Sequence, residues 1–121
     1  GMLTCPYVFS EAQAREMTAA GADVIVSHMG LTTSGDIGAE TALNLDDAAD
    51  RVQAHHDAAT AVNDDVLVIC HGGPIAWPDD AQYVLDNTKG VVGFFGASSL
   101  ERLPTEKAIE QQARDFKAIT L

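Results

Sequence analysis

The sequence predicts an α/β fold of four strand–helix units with parallel strands. Short apolar runs rich in β-branched residues alternate with longer segments of helical period. Each helical segment opens on a capping residue or a proline, and glycines follow several of them. Two of the strands, ADVIVSH and VLVIC, run straight into a histidine that begins a glycine-bearing loop. Parallel neighbours of this kind gather their loops on one rim, where α/β proteins carry their chemistry.

The elements follow in order. Residues 5–9 (CPYVF) form a short strand, held to an early or edge position by Pro6, which has no amide hydrogen to donate. Ser10 with Gln13 three residues on is a capping box for a helix over 11–20, and Gly21 is its stop. The run ending at His28 reads as a strand buried on both faces. Asn44 and Asp47 cap a helix over 46–62, whose Ala48, Val52, His55, Ala59 and Val62 recur at spacings of three and four. Asn63-Asp64-Asp65 turns the chain into a strand over 66–70. Pro78 opens a helix over 78–87 with Ala81, Val84 and Leu85 inward, and Gly90 precedes a strand over 91–95. A last helix over 105–118 is expected to pack through Ala108, Ile109, Ala113 and Phe116.

A chain of 121 residues makes one compact domain, and 46% hydrophobic residues supply its core. Seven Lys and Arg against eighteen Asp and Glu give a net charge of −11, which argues against nucleic acid and anionic membrane as partners. A few focused donors still allow a small anionic metabolite. No apolar run spans a bilayer and no signal peptide precedes the first strand, so a cytoplasmic location is expected. Cys5 and Cys70 suggest no disulfide framework, and Cys70 reads as buried packing.

His28 and His71 are the candidate catalytic residues, able to act as base, acid or oxyanion donor. Each alone is equally well read as bracing the rim by a bond to a loop carbonyl; the pair favours function. Gly72 and Gly73 leave backbone amides uncovered near the helix that begins at Pro78, a nest suited to phosphate or carboxylate, although Gly-Gly-Pro is also a common turn. The fifteen-residue loop MGLTTSGDIGAETAL is long for this architecture. Its Gly30, Thr32, Thr33, Ser34 and Asp36 read as a segment covering a ligand. Asp36 and Glu40 carry oxygens of the kind Mg²⁺ takes, but carboxylates are abundant here and no metal ligand is assigned. His55 and His56, adjacent on a helix, do not converge on one ligand. Cys70 and His71 point to opposite sides of a strand, which disfavours a nucleophilic pair. Trp77 reads as a cover over the helix start.

The segments ADVIVSHMGLTTSGDIGAETALNLDDAADRVQAHHDAA, VLVICHGGPIAWPDDAQYVL and GVVGFFGASSLERLPTEKAIEQQARDFKAI resemble the TIM-barrel family of phosphoenolpyruvate hydrolase-like proteins, also described as TIM-barrel signal transduction proteins. The same domain occurs at the C-terminal end of a plant tobamovirus-resistance protein. The resemblance implies a barrel related to enzymes that act on small phosphorylated or carboxylated keto acids, usually with Mg²⁺. It also implies that residues 1–121 are the C-terminal half of a larger family domain, and four units are half of the eight that close a (β/α)8 barrel. The relatives' main metal-binding acids then fall outside this chain, and no cofactor is expected within it.

In that frame His71-Gly72-Gly73-Pro74 follows the seventh strand and Gly96-Ala97-Ser98-Ser99 the eighth, the pair of loops that often binds phosphate in TIM barrels. Ser98 and Ser99 add hydroxyls. Arg102 either clamps a carboxylate or pairs with Glu101 or Glu106. A half-barrel exposes strand edges and apolar sheet surface, so a homodimer or higher homo-oligomer is expected. Two functions compete: a hydrolase or lyase of phosphoenolpyruvate-like substrates, and a non-catalytic binding or signalling module that works as a homo-oligomer.

Overall fold

In the computed structural model, which describes residues 1–36, 38 and 43–120, four strands pair in parallel in the order β1-β2-β3-β4. They are β1 (Tyr7–Val8), β2 (Val24–His28), β3 (Leu67–His71) and β4 (Val91–Phe94). The helices are α1 (Glu11–Ala19), α2 (Leu45–Thr60), α3 (Pro78–Asp86), a single turn α4 (Ser98–Glu101) and α5 (Leu103–Lys117). Successive strands are spatial neighbours and all parallel, with helices between them, which is half of a (β/α)8 barrel.

The predicted caps form. The Ser10 hydroxyl accepts from the Gln13 amide at 3.3 Å and the Gln13 side chain returns to the Phe9 amide at 2.8 Å. Asn44 accepts from the Asp47 amide at 2.8 Å. At the end of α1 Gly21 turns with φ +94, and the Ala22 amide reaches back to the Met17 carbonyl. β1 is shorter than residues 5–9 because only Tyr7 and Val8 have register partners, Val26 and Ser27. Upstream, the Thr4 and Pro6 carbonyls accept from the Val24 and Val26 amides, and the Thr4 amide and hydroxyl donate to the Asp23 carboxylate.

The helix-covered face of the sheet holds the core in two clusters. Val8, Ala14, Ile25, Ala59, Val66 and Val68 form one beneath α1 and α2. Met29, Ala48, Val52, Cys70, Ile75 and Val84 form the other, beneath α2 and α3. The opposite face is partly open, with Tyr7, Leu67 and Phe95 exposed.

The last helix corrects an expectation. Ile109 and Phe116 are 65% and 66% exposed, Ala108 and Ala113 are exposed too, and α5 buries only Leu103. It follows the edge strand β4, beyond which, among the described residues, no further strand offers a surface for its apolar stripe. Val62, at 45% exposure, likewise lies past the end of α2.

One polar pair is sealed in the helix-covered layer. The Ser27 hydroxyl and His55 Nδ1 share a hydrogen bond of 2.8 Å between β2 and α2. Both residues are buried. Removing the hydroxyl strands a buried ring nitrogen, so Ser27→Ala should cost about 1–3 kcal/mol in denaturant unfolding. Burial, the largest cause, holds His55 below the usual imidazole range, with Arg51 acting in the same direction and Glu11 against it. The folded pKa is therefore depressed relative to the unfolded chain. The unfolded chain takes up the proton first, so this residue's contribution is intact above about pH 6.5 and is lost as pH falls from there through the folded pKa. Unfolding midpoints measured across that window should decline in the native chain and decline less in His55→Gln, where His28 alone of the two still contributes.

Candidate functional site

The site begins with register. His28 and His71 are direct partners in the β2–β3 pairing, so their side chains leave the same face of the sheet. The rings lie 4.6 Å apart between centroids at an interplanar angle of 87°. Tyr7 stacks on His71 at 5.1 Å and meets His28 edge-on at 4.9 Å. Phe9 tilts against His28 at 4.7 Å, and Phe95 meets His71 edge-on at 5.6 Å. His71 is only 9% exposed and His28 is half-buried, whereas Tyr7, Phe9 and Phe95 reach solvent. The two imidazoles thus sit at the base of an aromatic wall that opens on the uncovered side of the sheet.

Both histidines brace the rim through Nδ1. His71 Nδ1 donates to the Phe95 carbonyl at 2.6 Å, and His28 Nδ1 accepts from the Gly30 amide at 3.0 Å. Among the described residues neither Nε2 has a hydrogen-bond partner, and no buried side-chain nitrogen or oxygen lacks one. The bracing reading and the chemical reading therefore use different atoms of the same rings. Burial first, and the neighbouring His71 second, hold His28 below the usual imidazole range.

Gly72 and Gly73 adopt φ +77 and +60. A Cβ on Gly73 would lie 2.6 Å from the Met29 carbonyl oxygen, and one on Gly72 would collide with the Gly30 carbonyl. Only glycine lets the loops after β2 and β3 lie on each other. The Gly73 amide donates to the Gly30 carbonyl at 2.9 Å, and the Gly73 carbonyl accepts from the Thr33 amide at 3.1 Å and its hydroxyl at 3.3 Å. At the start of α3, the Asp80 carboxylate takes the amides of Ala76 and Trp77 at 3.1 and 2.8 Å. An internal anion therefore occupies that helix terminus.

The loop after β4 carries Gly96, Ala97, Ser98 and Ser99, all partly buried, into the turn of α4. Arg102 pairs with Glu106 at 2.5 Å, and its other terminal nitrogen donates to the Ser34 carbonyl at 3.0 Å. Glu106 also accepts from the Asp36 amide at 3.3 Å. Arg102 and Glu106 thus fasten the long loop to the start of α5. Gly35 (φ +89) packs where a Cβ would strike Leu103, Arg102 and Glu106. Gly30 turns with φ +98, Thr32 is partly buried, and Asp36 is exposed. Glu40 lies outside the described residues. Among the described residues no group of three or more His, Cys, Asp or Glu is arranged to hold a metal ion.

Cys70, one residue before His71, is buried in the helix-covered layer, and burial pushes its thiol up to about 11. It stays protonated and away from the imidazoles. Trp77 has Lys107 Nζ 3.9 Å from its ring centroid, so the cover over the α3 start also receives a cation from α5. Sequence reasoning missed Tyr7, Phe9 and Phe95 as the wall around the histidines, and Asp80 as an anchor. The alternation of Tyr7, Val8 and Phe9 in the first strand was the available signal, since period two puts both rings on one face.

With this geometry in view, comparison with known proteins identifies the family. Residues 1–119 match the family described as "Phosphoenolpyruvate hydrolase-like", and the chain belongs to it. Over all 121 residues it is 54% identical to the "ToMV susceptible protein tm-1(GCR26)" and 53% identical to the "ToMV resistance protein Tm-1(GCR237)", both of Solanum lycopersicum. It covers 100% of itself but spans only 16% of the length of either tomato protein. The protein y4pA of Sinorhizobium fredii is 32% identical over 118 residues, 98% of this chain and 19% of that one.

Arg102→Ala should release the long loop from α5 without unfolding the sheet. Amide hydrogen exchange at Thr33 and Asp36 reads this. Asp36 is expected to exchange about tenfold faster, the loss of roughly one hydrogen bond's net free energy, while Thr33, still held by Gly73, changes little.

Proposed function

We propose that this chain supplies one side of a site that binds a small phosphorylated or keto acid, and that the parent fold acts on it as a hydrolase or lyase of phosphoenolpyruvate-like substrates. The observation that carries this reading is the pair of imidazoles, 4.6 Å apart, at the C-terminal ends of adjacent parallel strands. In α/β barrels that rim is where substrate and proton-transferring groups meet. His28 and His71 handle the proton through Nε2. The Gly72 amide, the amides of the Gly96-Ala97-Ser98-Ser99 loop and the Ser98 and Ser99 hydroxyls orient the acid. The loop fastened through Ser34 and Asp36 limits water at the rim.

Mg²⁺, which the wider barrel group implies, does not fit what this chain presents: its described residues offer no convergent carboxylate set. The missing side of the site comes from a second copy or from the rest of a longer protein. The exposed Tyr7, Leu67 and Phe95 on the sheet, with Ile109 and Phe116 on α5, are the apolar surfaces such a partner covers.

A second reading, a non-catalytic binding or signalling module acting as a homo-oligomer, is favoured by a different observation. Arg102 is committed to Glu106 and Ser34, Gly73 donates its amide to Gly30, and Asp80 fills the α3 terminus, so several anion-holding groups are already engaged. The tomato relatives named for susceptibility and resistance to ToMV suit such a use of the fold.

Titration with inorganic phosphate, phosphoenolpyruvate and pyruvate separates the two. On the enzyme reading at least one of them binds, and His71→Ala or Ser98→Ala weakens it by about tenfold or more, roughly 1.4 kcal/mol. Heats that are flat for all three, with a stable dimer by sedimentation, support the module instead.

A further inference from the structure

Resting on the proposed acid-binding site, a division of labour between the two histidines follows from what each Nδ1 touches. A carbonyl oxygen can only accept, so the 2.6 Å bond to Phe95 requires a hydrogen on His71 Nδ1. A backbone amide can only donate, so the 3.0 Å bond from Gly30 requires a bare lone pair on His28 Nδ1. In the neutral rings the remaining proton assignments are forced. His28 carries its hydrogen on Nε2, and His71 has a lone pair on Nε2. The rim locks two neighbouring imidazoles in opposite tautomers.

We infer that His71 is the proton acceptor and His28 the oxyanion donor for an enolisable 2-keto acid. A phosphate dianion at these rings would meet one donor and one lone pair, and the lone pair repels it. A carbonyl flanked by an acidic C–H meets both groups with the correct polarity. In the step, the His71 Nε2 lone pair takes a proton from the carbon beside the carbonyl. The C–H electron pair becomes the carbon–carbon double bond of the enolate, and the carbonyl π pair moves onto oxygen. That oxygen is held by the His28 Nε2–H, which keeps its hydrogen. Return of the proton from His71 reverses the step, and no oxidant or co-reactant is needed. Tyr7, Phe9 and Phe95 flank the rings with apolar surface, which lowers the local polarity and strengthens the His28 hydrogen bond to the developing charge.

The test has two readings on the full chain. Nitrogen-15 NMR of the ligand-free protein at about pH 8, where ordinary imidazoles are neutral, should show His28 with hydrogen on Nε2 and His71 with hydrogen on Nδ1. His28→Gln and His71→Gln assign the signals, and the buried His55 ring bonded to Ser27 reports that each variant is folded. In D2O the methyl protons of pyruvate should exchange in the native protein, and His71→Gln should slow that exchange about a hundredfold or more. The same tautomer in both rings overturns the inference, and because that reading uses the unaltered chain, a variant that fails to fold does not weaken it. Pyruvate that binds without exchanging overturns the division of labour and leaves the acid-binding site standing. Absence of binding by phosphate, phosphoenolpyruvate and pyruvate overturns the site itself, whichever tautomers are found.

Discussion

The pairing of β2 with β3, in the register that sets His28 opposite His71, is the constraint on which the rest of this molecule depends. Side chains alternate between sheet faces with a period of two, so a slip of one residue would send one imidazole into the helix-covered layer. The neighbouring positions show what that layer does to polar groups. Ser27 and Cys70, partners in the same register, face the helices: the hydroxyl is satisfied by His55, and the thiol is held protonated by burial. One residue later the same two strands deliver a half-buried His28 and a buried His71 to the opposite face.

Each of the four units contributes something the histidines need. β1 supplies Tyr7 and, just past its end, Phe9 as aromatic neighbours. The chain after β2 supplies the Gly30 amide that fixes His28, and the chain after β4 supplies the Phe95 carbonyl that fixes His71. Gly72 and Gly73 allow the two histidine loops to touch, and Arg102 with Glu106 ties the long loop to the last helix. The rim is therefore a connected set of hydrogen bonds laid across the strand ends. Its polarity is set by backbone groups, so two identical side chains are held differently: a carbonyl takes a hydrogen from His71 Nδ1 and an amide gives one to His28 Nδ1.

Much of the fold was legible because its signals are local. β-branched runs marked the strands, and Ser10, Asn44 and Pro78 marked helix starts where the structure has them. The candidate histidines were legible for the same reason, since a residue that ends a strand before glycine is placed by that strand alone. What sequence could not settle was non-local. Whether Arg102 met Glu101, Glu106 or a ligand depended on how the long loop returned to α5. The glycine pair after His71 suggested an open nest, yet the Gly73 amide is spent on the neighbouring loop. The helical period of α5 correctly announced a helix, but its apolar stripe faces outward because the edge strand β4 has no further neighbour among the described residues.

The central claim is that His28 and His71 act as one electrostatically linked pair. The most direct measurement is an NMR pH titration of His28 in the native chain and in His71→Gln. Burial and the neighbouring His71 both hold His28 below the usual imidazole range, burial being the larger cause. Removing His71 should raise the His28 pKa part of the way toward its ordinary value. A His28 titration that is unchanged, or that moves lower, would contradict the pairing.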